Sequence, residues 1–126
     1  MNKSQFDLKP ELVEYEGQVA RINYDVEEKE ITIEPTHEGE ESGETRTVYM
    51  AYVTRLNQPL SYERIVSAIV EDGYPADKMQ AVVNNYLLNP SDADITAAFN
   101  TMQDWRKMAK QIGRKITGIT PENDDL

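Results

Sequence analysis

SYERIVSAIVEDGYPADKMQAVVNNYLLNPSDADITAAFNTMQDWRKMAKQIGRKI, residues 61–116, reads as three consecutive helices with their punctuation intact. Ser61 opens the first and Gly73 ends it; Pro75 starts the second, Asn89-Pro90 stops that one, and Ser91 opens the third. In the first, Tyr62, Ile65, Val66, Ile69 and Val70 recur at spacings of three and four, which stacks them on one face. Met79, Val82, Val83, Tyr86 and Leu87 repeat the pattern in the second. The third begins with Ser91 as the expected cap and Asp94 in the third position of a capping-box-like start. Its seam, Ile95, Phe99 (or Ala98), Met102, Trp105, Ala109, Ile112 and Ile116, would make a helix about 35–40 Å long. That length is enough for the far end to project beyond so small a core.

Upstream, the period changes from helical to alternating. Residues 1–11 show no periodicity and are expected to be a loose arm. From Gln18, Ala20, Ile22, Tyr24 and Val26 fall on one face with Arg21, Asn23 and Asp25 on the other, as a half-buried strand requires. Glu27-Glu28-Lys29-Glu30 then reads as a polar turn, after which Ile31 and Ile33 resume the alternation up to Pro35, giving an antiparallel hairpin. HEGEESGE, residues 37–44, holds four glutamates and two glycines with no large apolar side chain, the composition of a flexible acidic loop. A third strand from Thr45 to about Leu56 is apolar on both faces and so belongs in a central or covered position. The expected fold is therefore α+β, with an N-terminal antiparallel sheet of about three strands followed by three helices, the last one long. The chain is expected to be a single domain over 1–126: a loose arm at 1–11, a β-meander at 12–56, the three-helix unit at 61–116 and a frayed tail at 117–126.

Composition narrows the function classes. The 126 residues carry a formal charge of −10, which opposes generic binding to nucleic acid or anionic membranes. The longest apolar runs are only a few residues and the N-terminus has no apolar signal core, so neither a membrane helix nor a secretory signal is expected. Having no cysteine excludes disulfides, thiol nucleophiles and zinc–thiolate sites, and agrees with a cytoplasmic protein.

Chemistry-bearing motifs are few. His37 is the only histidine; in a polar, glycine-rich loop it has nothing to hold it in position for acid–base work. With Glu38, Glu40 and Glu41 it could bind a hard cation only weakly, because the ligand spacing of a calcium loop is missing. Asp92 and Asp94 are better explained by the helix dipole than as metal ligands. No catalytic residue, cofactor or metal site is expected, and the protein reads as non-enzymatic. The segment from Trp105 to Pro121 holds five bases and no acid: Arg106, Lys107, Lys110, Arg114 and Lys115. Cations suit a helix C-terminus, yet Lys107, Lys110 and Arg114 also form a stripe that could meet phosphates or an acidic partner. Beside them, Trp105, Met108 and Ile112 are either core or, on an uncovered helix end, a contact surface for a protein partner or for self-association.

Two resemblances attach to these residues. The run over about 47–115, including SYERIVSAIVEDGYPADKMQAVVNNYL and MQDWRKMAKQIG, resembles small uncharacterised proteins of Bacteroides-type phages and mobile elements, which implies that context and no activity. Residues 48–87, VYMAYVTRLNQPLSYERIVSAIVEDGYPADKMQAVVNNYL, are similar to the opening helix pair of Bacteroides-type HU-like DNA-binding proteins. In that family a sheet with basic arms follows to clasp DNA; here a long helix follows and there is no basic arm, so the likeness implies a hairpin or dimerisation element. The leading expectation is an interaction or structural accessory protein, with Trp105, Met108, Ile112, Lys107, Lys110 and Arg114 as candidate contacts. The alternative is a nucleic-acid-binding protein or regulator using the basic strip.

Overall fold

Residues 1–33 and 44–119 are described by a computed structural model. The expectations for His37, Glu38, Glu40 and Glu41, for most of the acidic loop and for the tail after Ile119 lie outside the described residues. Four strands come first: β1 (Ser4–Phe6), β2 (Val13–Glu16), β3 (Val19–Thr32) and β4 (Thr45–Asn57). Three helices follow: α1 (Tyr62–Gly73), α2 (Ala76–Leu88) and α3 (Ala93–Thr117). The fold is α+β, with an antiparallel sheet in the order β1-β4-β3-β2 and a long last helix.

Two features separate this sheet from the expected one. The polar run 27–30 is not a turn. β3 continues through it, with Glu27 opposite Met50 and Glu30 opposite Thr47, and only a bulge after Tyr24 interrupts the register. Asp25 takes a φ of 52° there, a left-handed conformation that aspartate tolerates and that a bulge can require. The second feature is the arm, which is partly structured: Ser4–Phe6 pairs with Ala51, Met50 and Tyr49 on the outer side of β4. Lys3 holds it there through ion pairs to Asp25 at 3.1 Å and Glu27 at 2.8 Å. β2 adds the fourth strand through a two-residue turn whose first residue, Gly17, has a φ of 66°, a value available to glycine at little cost.

With β1 and β2 on opposite edges, the chain between them must cross β4 and β3, roughly 14 Å at the usual strand spacing. Residues 7–12 are long enough to do so, and they cross on the face away from the helices. There Asn23 donates from Nδ2 to the Glu11 carbonyl at 2.7 Å and from its backbone N–H to the Leu12 carbonyl at 2.9 Å. Asn23 and Ala51 are buried on this face, while Arg21 pairs with Glu14 and Glu16 beyond the crossing.

The core lies on the other face. Ile22 and Tyr24 meet Tyr62, Ile65, Val66 and Ile69 of α1 and Ala109 and Ile112 of α3. α1 and α3 pack closely because each places a glycine against the other's bulk. A Cβ on Gly73 would overlap the Trp105 indole, and one on Gly113 would come within 2.9 Å of Val66 Cγ2. α1 is capped by Ser61, as its sequence predicts. α3 is capped by Asp92 rather than Ser91: Asp92 Oδ1 accepts from the N–H groups of Asp94 at 2.9 Å and Ile95 at 3.0 Å. The carboxylate reaches two orphan donors at once, and its charge suits the helix N-terminus.

Candidate functional site

The structure settles the packing of the third-helix seam. Trp105 donates from Nε1 to the Ile69 carbonyl at 2.9 Å and stands edge-on to Tyr52, Tyr24 and Tyr74, with centroids 5.0, 6.0 and 6.5 Å away. Met108 is packed against the same core, and Ile112, within it, is 8% exposed. The end of α3 thus has the intramolecular partner its length seemed to deny it, because α1 and the sheet reach it. Ile112 is thus a core residue, and Trp105 and Met108 are partly buried against the core.

Their basic neighbours face elsewhere. Lys107 and Lys115 are exposed, while Arg106, Lys110 and Arg114 are half-buried. Arg106 donates to Gln103 Oε1 at 2.9 Å. Arg114 and Lys115 occupy the last turn, just before Gly118 closes the helix with a φ of 71°, where the helix dipole favours cations.

The part of the molecule with unused surface is the hairpin made by α2 and the first turns of α3. Pro75, with φ fixed near its value of −52°, begins α2 without a side-chain cap. Asn89 ends it, its N–H bonded back to the Asn85 carbonyl at 3.0 Å. The short connection is then tied by Asp92 N–H to the Asn89 carbonyl at 3.2 Å and by Thr96 Oγ1 to the Pro90 carbonyl at 2.9 Å. Across the hairpin, Tyr86 and Phe99 stack with centroids 4.1 Å apart and planes 8° from parallel.

Little else covers this pair of helices. α2 has no buried residue, although its spacing predicts a buried face of Met79, Val82, Val83, Tyr86 and Leu87. α3 has none before Met102. Leu87 and Leu88 are 70% and 85% exposed. Residues 79–91 and 95–103 contain no charged side chain in a chain that is 29% charged. Depletion of charge with retention of apolar and amide groups is what the middle of a protein interface looks like. The signal was present in the sequence, as a run of missing residue types, which motif and periodicity reading does not register.

Next to the hairpin, a cleft of about 410 Å³ opens between α1, α2 and α3, lined by Val66, Val70, Tyr74, Met79, Glu71 and Arg106 among others. Burial raises the pKa of the Tyr74 phenol, and Lys78 Nζ sits over its ring at 4.7 Å. A second cleft of about 430 Å³ lies between Tyr15, Leu60 and Ile116. Among the described residues no three His, Cys, Asp or Glu side chains gather as a metal site would require. Nor is any described helix long and apolar enough to cross a membrane.

Comparison with protein-family models, curated proteins and solved structures finds no match.

Proposed function

We propose that the protein is a non-enzymatic interaction or structural accessory protein whose contact surface is the α2–α3 hairpin. The observation that carries this reading is the exposure of Leu87 and Leu88 on a hairpin whose legs, 79–91 and 95–103, lack charge. Isolated exposed leucines are ordinary. Here they sit together at the end of a helix whose remaining large apolar residues, Met79, Val82, Val83 and Tyr86, are only half-buried, so the apolar surface of α2 is incompletely covered inside the molecule. Helices of this length gain most of their stability from packing, and a partner on this face would supply it. The likeness to phage and mobile-element proteins gives such an accessory role its context.

Nucleic-acid binding through the third-helix strip draws less support. Arg106 is engaged by Gln103, and the bases nearest the helix end have a local electrostatic reason to be there.

The test is site-specific photo-cross-linking of the full chain in its native cells, with a benzophenone amino acid at position 88 and, as control, at position 30 on the exposed part of β3. Discrete cross-linked species at position 88, with few at 30, are expected. Absence of discrete species at 88, or equal yield at both positions, overturns the assignment.

A further inference from the structure

On the footing of that reading, we infer that the partner of the hairpin is a second copy of this chain, docked hairpin to hairpin about a two-fold axis. α2 and the first turns of α3 form a two-helix layer held by one aromatic stack. Two such layers face to face make a four-helix arrangement with an enclosed core.

Charge selects the occupant. A chain of net −10 repels its own copy over most approaches. The exposed part of the β3–β4 ribbon carries Glu27, Glu28, Glu30 and Glu44 against Lys29 and Arg46, a net acidic surface that disfavours a second ribbon. The outer side of α3 is positive from Arg106 to Lys115, which disfavours a second such helix. The hairpin legs are neutral, with Asp92 and Asp94 at the turn between them, so two copies meet less charge repulsion there than on the ribbon or the basic strip. A strongly charged partner would find nothing on them to pair with.

The polar groups point the same way. Gln80, Asn84 and Asn100 are exposed, and each amide is both donor and acceptor. In a two-fold interface each residue meets the surface that holds its own equivalent, which demands self-complementary groups. Amides and leucines satisfy this; a one-signed set of charges does not. Exposed Ala97 and its neighbours on α3 add little bulk, which allows the helices a close approach.

Salt gives the inference a signature. Pairing through a neutral surface of an acidic chain should tighten as the repulsion elsewhere is screened between about 50 mM and about 500 mM salt. Pairing of the basic strip with the acidic ribbon would weaken over that range. The experiment is sedimentation of the purified full chain over a wide concentration range at both salts. A reversible dimer is expected, stronger in high salt and weakened at least tenfold by Leu88→Asp, with unchanged circular dichroism because that side chain is exposed. Asn84→Asp is the second variant, expected to weaken the dimer in the same direction should Leu88→Asp disturb the helix. A monomer at every concentration, a dimer dispersed by salt, or a dimer indifferent to both substitutions overturns the inference. A monomer that still cross-links through position 88 to a different protein would leave the interaction reading standing and remove only the second copy.

Discussion

At Gly73 the space a methyl group would need is already filled by the Trp105 indole. The same indole donates to Ile69 and is bordered by three tyrosines. Trp105 therefore joins α3 to both α1 and the sheet. Replacing it with alanine removes a large apolar contact and leaves a cavity between layers, a change that typically costs about 3–5 kcal/mol. Trp105→Ala is accordingly expected to lower the urea midpoint by that equivalent. A variant that kept wild-type stability and lost only an association state would return Trp105 to the surface role that its sequence position also allows. The position alone could not decide, because a tryptophan on an apolar seam is written the same way whether its partner is in the same chain or another. What decides is Gly73, thirty-odd residues away in sequence, whose missing side chain makes the room.

The helices were the most legible elements, since their period and stop signals are both local. Ser61, Pro75 and Asn89-Pro90 all stand where the structure has helix boundaries. The cap of α3 was misplaced by one residue, and this gives a direct test. Asp92 holds the first N–H groups, whereas Ser91 Oγ reaches only the Asn89 side chain at 3.4 Å. Asp92→Ala should cost about 0.5–2 kcal/mol, and Ser91→Ala much less, as read by thermal melts of the two variants. Equal losses would show that the two residues share the cap. The sheet was harder to read for a physical reason. Glu27-Glu28-Lys29-Glu30 has the side chains of a turn, but β3 is held there by backbone bonds to β4 that side-chain polarity does not report. β1 was missed because three residues are too few to show a period, and what holds them is Lys3, tied to acids more than twenty residues later.

Over the whole molecule, the groups that respond to pH sit where the arm, the sheet and the helices meet. Burial pushes the Tyr24 phenol up to about 12, more than its hydrogen bond to Thr54 pulls it down. Burial lowers Lys3, but hydrogen bonds and charge attraction from Glu27 and Asp25 more than offset this and leave it raised above its usual 10.5. Both groups are protonated in folded and unfolded chains below about pH 10, so their contributions are fully present there. Above that the unfolded chain loses protons that the folded one retains, and stability falls until the folded values are passed. Denaturant midpoints should therefore show no pH dependence from these groups up to about pH 10 and a decline towards pH 12, shallower in Tyr24→Phe. An identical decline in that variant would remove Tyr24 as a cause. Of the candidate contact surfaces, the basic strip stood out in the sequence, and the hairpin proposed as the contact surface did not. Clustered charges are conspicuous, whereas an interface is marked by the charges that are left out.

The strand order also dictates a sequence of events in time. β1 is synthesised before β2, β3 and β4, yet its pairing positions on β4, Tyr49 to Ala51, emerge only after β2 and β3. The local hairpins have the shorter loops to close and can form first; β1 then closes over them like a clasp. Contacts made after the folding barrier set how slowly a native molecule comes apart rather than how fast it assembles, and the long loop that β1 must close places its pairing among them as an expectation. Removing residues 1–6 is therefore expected to speed unfolding while leaving the folding rate nearly unchanged, as stopped-flow kinetics would read.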